Sequence, residues 1–596
     1  MCRINGIVDP ALNAAELIAA SKQMCDLMMH GGPDDEGIFV DEKHHLVFGH
    51  RRLSLLDLSQ CGHQPMSYDN GRYRITYNGE IYNYNELKQE LKQLGYTFKS
   101  STDTEMIPAA FDAWGTISFT RFNGMFAFGL YDTLTSKMYL VRGPSGIKPL
   151  YYSVTGGALY FTSEVRAFKK FKRFQQQDDQ SLIYLLAYGH LPEPITTLKG
   201  VKVLPKGSYL TFDVSNKKHD IEFYSHYNFS SCVNDKKTAE TLIRKKLHAA
   251  VKRHLISDAP IGVFLSGGID SSIIALLAAQ NHTMLNTLSV YFDEGEYSEK
   301  KYQDILVEKI DCTHNQYLIN EQEFSSHIPD VIKAMDLPSC DGVNTWFISK
   351  YAKQQGLKAV LSGIGGDEIF GGYPSFKRMK TLALLNNFPT NFLRSGRYTD
   401  NKKFKRLSYL SLKGTKGKYL LLRGQFIPSE IAALLNTSEE YVWKLLDQQP
   451  VLPDINYLGL RDQASWMEIN MYMQNQLLRD SDVMSMAHGI ELRVPFLDKE
   501  FLSAALSISP NVKYGGRLPK QLLIDTFKNI LPEEIWNRPK MGFSFPFKEW
   551  MMNNEFVRSE MSKDKGFESM YRCFKTGKLH WSQLMTLLVS KQHFNA

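Results

Sequence analysis

What the chain lacks narrows its reading first. No two of its seven cysteines, Cys2, Cys25, Cys61, Cys232, Cys312, Cys340 and Cys573, form a CxxC pair, and their number is odd. That argues against a disulfide framework and a cysteine zinc site, and a reducing, cytoplasmic location is expected. No run approaches the roughly 20 apolar residues of a membrane span, so no membrane partner is expected. Residues 1–10 lack the apolar core of a secretory signal. Internal repeats and low-complexity tracts are absent as well. A net charge of +7 over 596 residues is mild. The basic residues Lys169, Lys170, Lys172 and Arg173, and those in 402–418, read as solvated faces. They form no stripe of the kind nucleic acid requires, and no nucleic-acid partner is expected.

What remains is an ordinary globular composition, 43% hydrophobic and 22% charged, in a chain too long for one core. Up to about residue 210, short apolar runs at 4–8, 45–49, 73–77, 126–131, 138–141 and 159–161 alternate with Gly, Asp and Asn turns. They read as strands, with helices expected at 14–28 and 85–95, which suggests an α+β layered domain. Polar stretches at 214–220 and 230–237 read as a linker. From residue 238 the pattern changes. Apolar runs at 261–265, 285–291 and 358–361 alternate with helical patterns at 238–254, 271–279 and 299–310. Such alternation implies a parallel sheet flanked by helices. Beyond Gly372 the sequence reads as mostly helical.

Two glycine-rich turns follow apolar strands in this second part. The first reads Phe264-Leu265-Ser266-Gly267-Gly268-Ile269-Asp270-Ser271-Ser272 and opens a helix. Its glycines permit close backbone approach, and N–H groups at a helix start make a phosphate nest. The hydroxyls of Ser266, Ser271 and Ser272 add donors, and no Gly-Lys-Ser/Thr follows, so this is not a Walker loop. The second turn reads Leu361-Ser362-Gly363-Ile364-Gly365-Gly366-Asp367-Glu368. Turns at adjacent strand ends face one crevice, the usual ligand position of an open α/β sheet. Asp270 and Asp367 are then placed to share Mg²⁺ on bound phosphates.

The other candidate is Cys2. Loss of the initiator Met would make it the N-terminus, with an α-amine of pKa ~7.7–8.0 beside its own thiol. Nucleophile and proton acceptor then belong to one residue. Asn78 and Gly79, in YNGEIYNY, offer a side-chain amide and a backbone N–H as an oxyanion hole. Arg52, in HRRLSLLD, offers a fork for a carboxylate, and Asp103, in STDTE, a partner for an α-ammonium.

The motifs MCRINGI, GGPDDEG, HRRLSLLD, YNGEIYNY, STDTE and NGMFAFGLYD resemble the class II glutamine amidotransferase domain. SGGIDSS resembles the pyrophosphate loop of the ATP pyrophosphatase superfamily. LSGIGGDEIFGGY, SDVMSMAHGIELRVPFLD and RPKMGF are similar to the asparagine synthase domain. In this order the two domains resemble the glutamine-hydrolysing asparagine synthetase family. The resemblance implies an α+β N-terminal nucleophile domain of α-β-β-α layers over 2–210 and a linker over 211–237. It implies an α/β ATP-pyrophosphatase-type domain with a parallel sheet and a helical C-terminal part over 238–596. It assigns glutamine to Arg52, Leu53, Ser54, Leu55, Leu56, Asn78, Gly79, Glu80 and Asp103. It assigns ATP to the first turn together with Leu265, Val290, Ser362, Gly363 and Lys520. It further implies adenylation of a carboxylate, aspartate first, attack by ammonia carried between the domains, and a homodimer. A sugar uronic acid or a natural-product intermediate is the alternative acceptor. Glu491 and Arg493, with Asp480 and Asp482, are expected to form a buried ion network ordering the C-terminal helices.

Three departures from that family stand out. Gly31 replaces the arginine of HRGPD, and Gly143 replaces the aspartate of RDxxGxKPLYY. Each is expected to remove an ion pair behind the glutaminase site. Ile364 stands where free-asparagine synthetases carry an acidic residue, which puts the acceptor in question.

Overall fold

The computed structural model describes residues 2–281, 284–386, 388–399, 401–412, 414–542 and 544–594. Met1, Lys413 of the basic stretch and Phe543 of RPKMGF lie outside the described residues.

The N-terminal part is two six-stranded antiparallel sheets packed face to face. One runs Lys202–Val203, Tyr151–Thr155, Ala158–Thr162, Arg3–Val8, Leu46–Arg52, Asp35–Asp41. The other runs His219–Phe223, Ser208–Asp213, Lys137–Arg142, Gly124–Asp132, Tyr73–Ile81, Met66–Tyr68. Alternate residues of both, among them Ile4, Phe48, Phe161, Ala127, Tyr131 and Leu140, fill the space between them. Gly6 is required there, since a Cβ would lie 2.2 Å from the Phe161 ring. Helix Ala14–Leu27 covers the first sheet. Helices Tyr84–Gln93 and Met106–Trp114 cover the second through Leu87, Leu91, Ile107 and Phe111. The layers are therefore α-β-β-α, as expected.

The expected linker over 211–237 is corrected at its start. Ser208–Asp213 and His219–Phe223 pair as a hairpin, Ser208 opposite Phe223, and extend the second sheet. Polar sequence misled here because the outer strand is a largely exposed edge. Its turn is built from polar groups, Asp213 Oδ1 accepting the N–H groups of Ser215 and Asn216.

The second part carries a five-stranded parallel sheet in the order Cys312–Leu318, Leu285–Tyr291, Ile261–Phe264, Ala359–Leu361, Glu491–Arg493. Ile261–Phe264 pairs with Leu285–Tyr291 on one side and with Ala359–Leu361 on the other. The chain order thus reverses beside that strand, and ligands bind at the carboxyl ends of strands at such a switch. Both glycine-rich turns leave from there. The sheet's last strand, Glu491–Arg493, lies in the segment read only as helix-ordering. Three residues are too short for a periodicity signal. It is preceded by a long rod running through Leu460–Met467, a π-helical stretch Glu468–Leu477 and Leu478–Met486. Among the described residues no helix is long and apolar enough to cross a membrane.

Candidate active site

Cys2 is buried at the start of the strand Arg3–Val8. Its main-chain N–H donates to Asn78 Oδ1 at 3.2 Å. That contact fixes which end of the amide faces Cys2. Asn78 Nδ2 is buried with no hydrogen-bond partner among the described residues. A buried donor left empty is costly unless a ligand completes it. Gly79 follows, and a Cβ there would lie 2.2 Å from the Met125 carbonyl oxygen, so only glycine fits. The strand pairing of Asn78 with Ala127 and Gly79 with Phe126 sets this geometry. Burial pushes the Cys2 thiol up, against the backbone N–H of Leu53 and the charge of Arg52. A thiol held neutral needs a base at hand, which is the role an α-amine on the same residue would fill.

Of the other residues expected to hold glutamine, Arg52 and Leu53 lie beside the Cys2 thiol. The Arg52 guanidinium donates to the carbonyls of Ser59 at 3.0 Å, Leu56 at 3.3 Å and Asp57. The fork expected to hold a ligand carboxylate closes the following loop in this structure. A fork's donors suit carbonyls as well as carboxylates, which sequence cannot distinguish. That loop carries Leu53, Leu55 and Leu56, all buried, and Ser54, whose N–H donates to Asp34 Oδ2 at 2.8 Å. Asp103 accepts from Tyr77 Oη at 2.7 Å and from the Ile81 N–H at 2.8 Å. Burial raises its carboxyl against those bonds.

The ion network is corrected in its partners. Arg493 bonds Glu491 at 2.5 Å and the carbonyls of His254 and Ile256, and it reaches Glu80, the residue after Gly79, at 3.5 Å. Asp482 belongs to a second cluster, pairing with Arg3 at 2.9 Å and Lys148 at 3.2 Å. Asp480 turns elsewhere, accepting from Ser339 Oγ. The network expected within the C-terminal helices instead bridges the two domains, with Arg3 and Asp482 lying 479 residues apart along the chain. Beside Gly143 the buried Lys206 ammonium has no hydrogen-bond partner among the described residues, while Arg142 is fully engaged. The neighbouring Arg142 donates to Glu193 at 2.7 Å and to the carbonyls of Lys148, Leu204 and Gly146.

The second centre is a cleft of about 810 Å³ at the switch point. Leu265, Ser266, Gly268, Asp270, Ser271, Val290, Ser362, Gly363, Asp367 and Lys520 line it. Two expected residues do not. Ser272 is fully buried, its hydroxyl donating to the Gly268 carbonyl at 2.6 Å inside the helix start. Gly267, at φ +83°, gives the turn its shape, and its carbonyl accepts from Arg538 Nη2 at 2.9 Å. The Lys520 ammonium lies between the two aspartates, bonded to Asp270 Oδ2 and 2.5 Å from Asp367 Oδ1. Lys540 adds a second contact to Asp367 at 2.8 Å. Despite burial, which opposes it, these two ammonium groups hold the Asp367 carboxyl below its ordinary value. Asp270 Oδ1 is buried without a partner among the described residues. Two such carboxylates fit Mg²⁺, which takes few protein ligands and fills its shell with phosphate and water. No group of three or more His, Cys, Asp or Glu able to hold a metal occurs among the described residues.

Sequence reasoning gave no role to Arg538, Lys540 or Glu299, although RPKMGF held the first two. The cleft is also lined by Asp341, Tyr472, Asp480 and Ser481 with Ile364 and Glu368. Burial pushes the Glu368 carboxyl up to about 7, helped by the charge of Asp367. Burial does the same to Asp480, also to about 7.

Comparison with known proteins gives the family of each part of the chain. A family model described as asparagine synthase matches residues 242–580, and one described as a glutamine amidotransferase domain matches residues 1–225. Over 582 residues the chain is 32% identical to glutamine-hydrolysing asparagine synthetase 1 of Bacillus subtilis, spanning 94% of this chain and 89% of the relative. The glutamine-hydrolysing asparagine synthetase B of Escherichia coli is 28% identical, over 91% of this chain and 82% of its own length. A protein of Gibberella zeae named amidase chry2 is 25% identical, over 92% of this chain and 90% of its own length. The chain belongs to the glutamine-hydrolysing asparagine synthetase family, whose members are ligases with glutamine as amide donor.

Proposed function

We propose that this chain transfers the amide nitrogen of glutamine to a carboxylate activated by ATP, with aspartate as the acceptor and asparagine as the product. The observation that carries the reading is the pairing of Cys2 N–H with Asn78 Oδ1, which leaves the buried Asn78 Nδ2 free for an oxyanion. In this scheme the Cys2 sulfur bonds the side-chain carbonyl carbon of glutamine. Asn78 Nδ2 and the Gly79 N–H stabilise the oxyanion. The carbon–nitrogen bond breaks, and the thiol proton, held by the Cys2 α-amine, leaves on ammonia. Water then frees glutamate from the thioester. Leu53, Ser54, Leu55, Leu56, Glu80 and Asp103 surround the bound amino acid, with Arg52 holding their loop.

In the cleft, an acceptor carboxylate oxygen attacks the α-phosphorus of ATP and pyrophosphate departs. Ammonia attacks the acyl carbon and AMP leaves with the bonding pair. Activation is required because an oxide is a poor leaving group and AMP a good one. The turn from Ser266 to Ser271 cradles phosphates, and Asp270 and Asp367 would hold Mg²⁺, which neutralises phosphate charge. The attacking nitrogen must lose a proton that Ile364 cannot accept, and Glu368 in its ionised form, on the same cleft wall, takes it. Ammonia crosses between domains without meeting bulk water, which would protonate and dilute it.

A second reading keeps the chemistry and changes the acceptor to a uronic acid or a natural-product intermediate. The apolar Ile364 in the cleft wall favours it. A pyrophosphate-release screen over carboxylates, run with glutamine and with ammonia, separates the two. Release confined to aspartate supports asparagine synthesis, and release with another carboxylate alone supports the second reading. Cys2→Ala is expected to abolish release with glutamine while leaving release with ammonia. Full glutamine-dependent activity in that variant would end both readings.

A further inference from the structure

Gly31 departs from the HRGPD motif, yet its place is filled. A Cβ on Gly31 would lie 2.8 Å from Arg3 Cγ and 2.9 Å from Arg3 Nε. Arg3, the residue after the nucleophile, runs its side chain through the volume that a residue at 31 would use. It is fully buried. Its Nε donates to Glu164 Oε1 at 2.7 Å, and its Nη1 to Asp482 Oδ2 at 2.9 Å. Glu164 also takes His30 Nε2 and Arg166 Nε, each at 2.9 Å, and Asp482 also takes Lys148. Arg3 Nη2 has no hydrogen-bond partner among the described residues. A guanidinium buried with a donor unsatisfied is poorly explained by stability alone.

Asp482 sits on helix Leu478–Met486, and this helix touches both centres. Asp480 and Ser481, near its start, line the nucleotide cleft. Met486, at its end, packs on Leu53, whose N–H bonds the Cys2 thiol. Arg3 and Leu53 therefore grip one rigid element from the two sides of Cys2. A second connection runs parallel to it. Leu492 lines the cleft, and its neighbour Arg493 reaches Glu80 beside the oxyanion donors.

We infer that Arg3 is a positioning residue that has taken over the space at Gly31 and, through Asp482, couples occupancy of the nucleotide cleft to the geometry of Cys2. The inference rests on the functional reading above. Coupling of this kind is a free energy shared by two sites, so a ligand in one must change the behaviour of the other.

The test uses the full chain and a diazoketone analogue of glutamine that alkylates Cys2. Alkylation rate is measured with and without saturating MgATP, and ATP affinity is measured calorimetrically on the same samples. In the unmodified protein ATP is expected to change the rate at least threefold. Arg3→Gln is expected to erase that response while ATP affinity stays within twofold. The paired change Arg3→Gly with Gly31→Arg, which returns a guanidinium to the shared volume from the other side, is expected to restore at least half of it. The inference is overturned if Arg3→Gln keeps the response, or if ATP binding is lost with it, which marks a merely structural role. Absence of any ATP response in the unmodified protein overturns it too. A Cys2 that the analogue never alkylates would instead bring down the functional reading on which the inference stands.

Discussion

The glutaminase centre and the nucleotide cleft are built on opposite plans. Around Cys2 the groups are strand residues and main-chain N–H groups, closely packed and fixed by register, with the unpartnered Asn78 Nδ2 aimed by the hydrogen bond that its own Oδ1 accepts. The cleft is about 810 Å³ of open space, lined by turns and helix starts, and its charges bond one another across it. The first plan suits a site that always receives the same small donor. The second suits a site that must admit a nucleotide and an acceptor together. Changes to the acceptor therefore leave the donor half untouched, and the wall at Ile364 is a place where this chain can differ from relatives it otherwise resembles.

If the tight half depends on charges brought from the other domain, breaking them should cost more than breaking pairs in the open half. Arg493→Met removes a buried guanidinium that faces both Glu491 and Glu80, and about 3–5 kcal/mol of stability should be lost. Lys540→Met, which removes a half-exposed partner of Asp367, should cost under about 1 kcal/mol. Denaturant unfolding of both variants measures the contrast, and equal losses would erase it. The next effect concerns rate. Asn78→Ala removes an oxyanion donor and should lower glutamine-dependent kcat by about 10²–10³-fold, or roughly 2.7–4 kcal/mol. Ammonia-dependent synthesis in the same sample is the internal reference, and a parallel fall there would mean the two halves are not separable.

The third effect is confined to the cleft. The Glu368 carboxyl is raised to about 7 by burial, so its folded form favours the neutral acid. The sign follows from linkage. Its contribution to stability is full below about pH 4.5 and is lost as pH rises through about 7, on the order of 3 kcal/mol. Glu368→Gln should flatten that part of the pH–stability curve. A curve unchanged by the substitution would remove the buried acid from the account.

Much of this was legible in the sequence. Strand alternation and the two glycine-rich turns marked three adjoining strands of each of the three sheets and the cleft, because local patterns carry them. That Cys2 and Asn78 would meet was legible because an N-terminal thiol and an Asn-Gly within a strand have specific chemical uses. What escaped depends on distant partners. Arg52 offers the same fork to loop carbonyls as to a ligand. Ser272 looks like Ser271 in sequence, but its helical position turns its hydroxyl inward. Gly31 reads as a lost arginine until Arg3 is seen in its place. The hairpin of Ser208–Asp213 and His219–Phe223 reads as a linker because an edge strand need not be apolar.

The strand Glu491–Arg493 and the carboxylate of Asp482 also set a schedule. The ribosome makes Arg3 first and its counter-charge Asp482 479 residues later. At about 5–20 residues per second the interval is on the order of 25–100 s. During that time the glutaminase sheets can form, but Arg3 and Glu80 wait without their distant partners, and the parallel sheet lacks its last strand. The nitrogen-releasing half of the molecule is thus finished only when the nitrogen-consuming half has been translated.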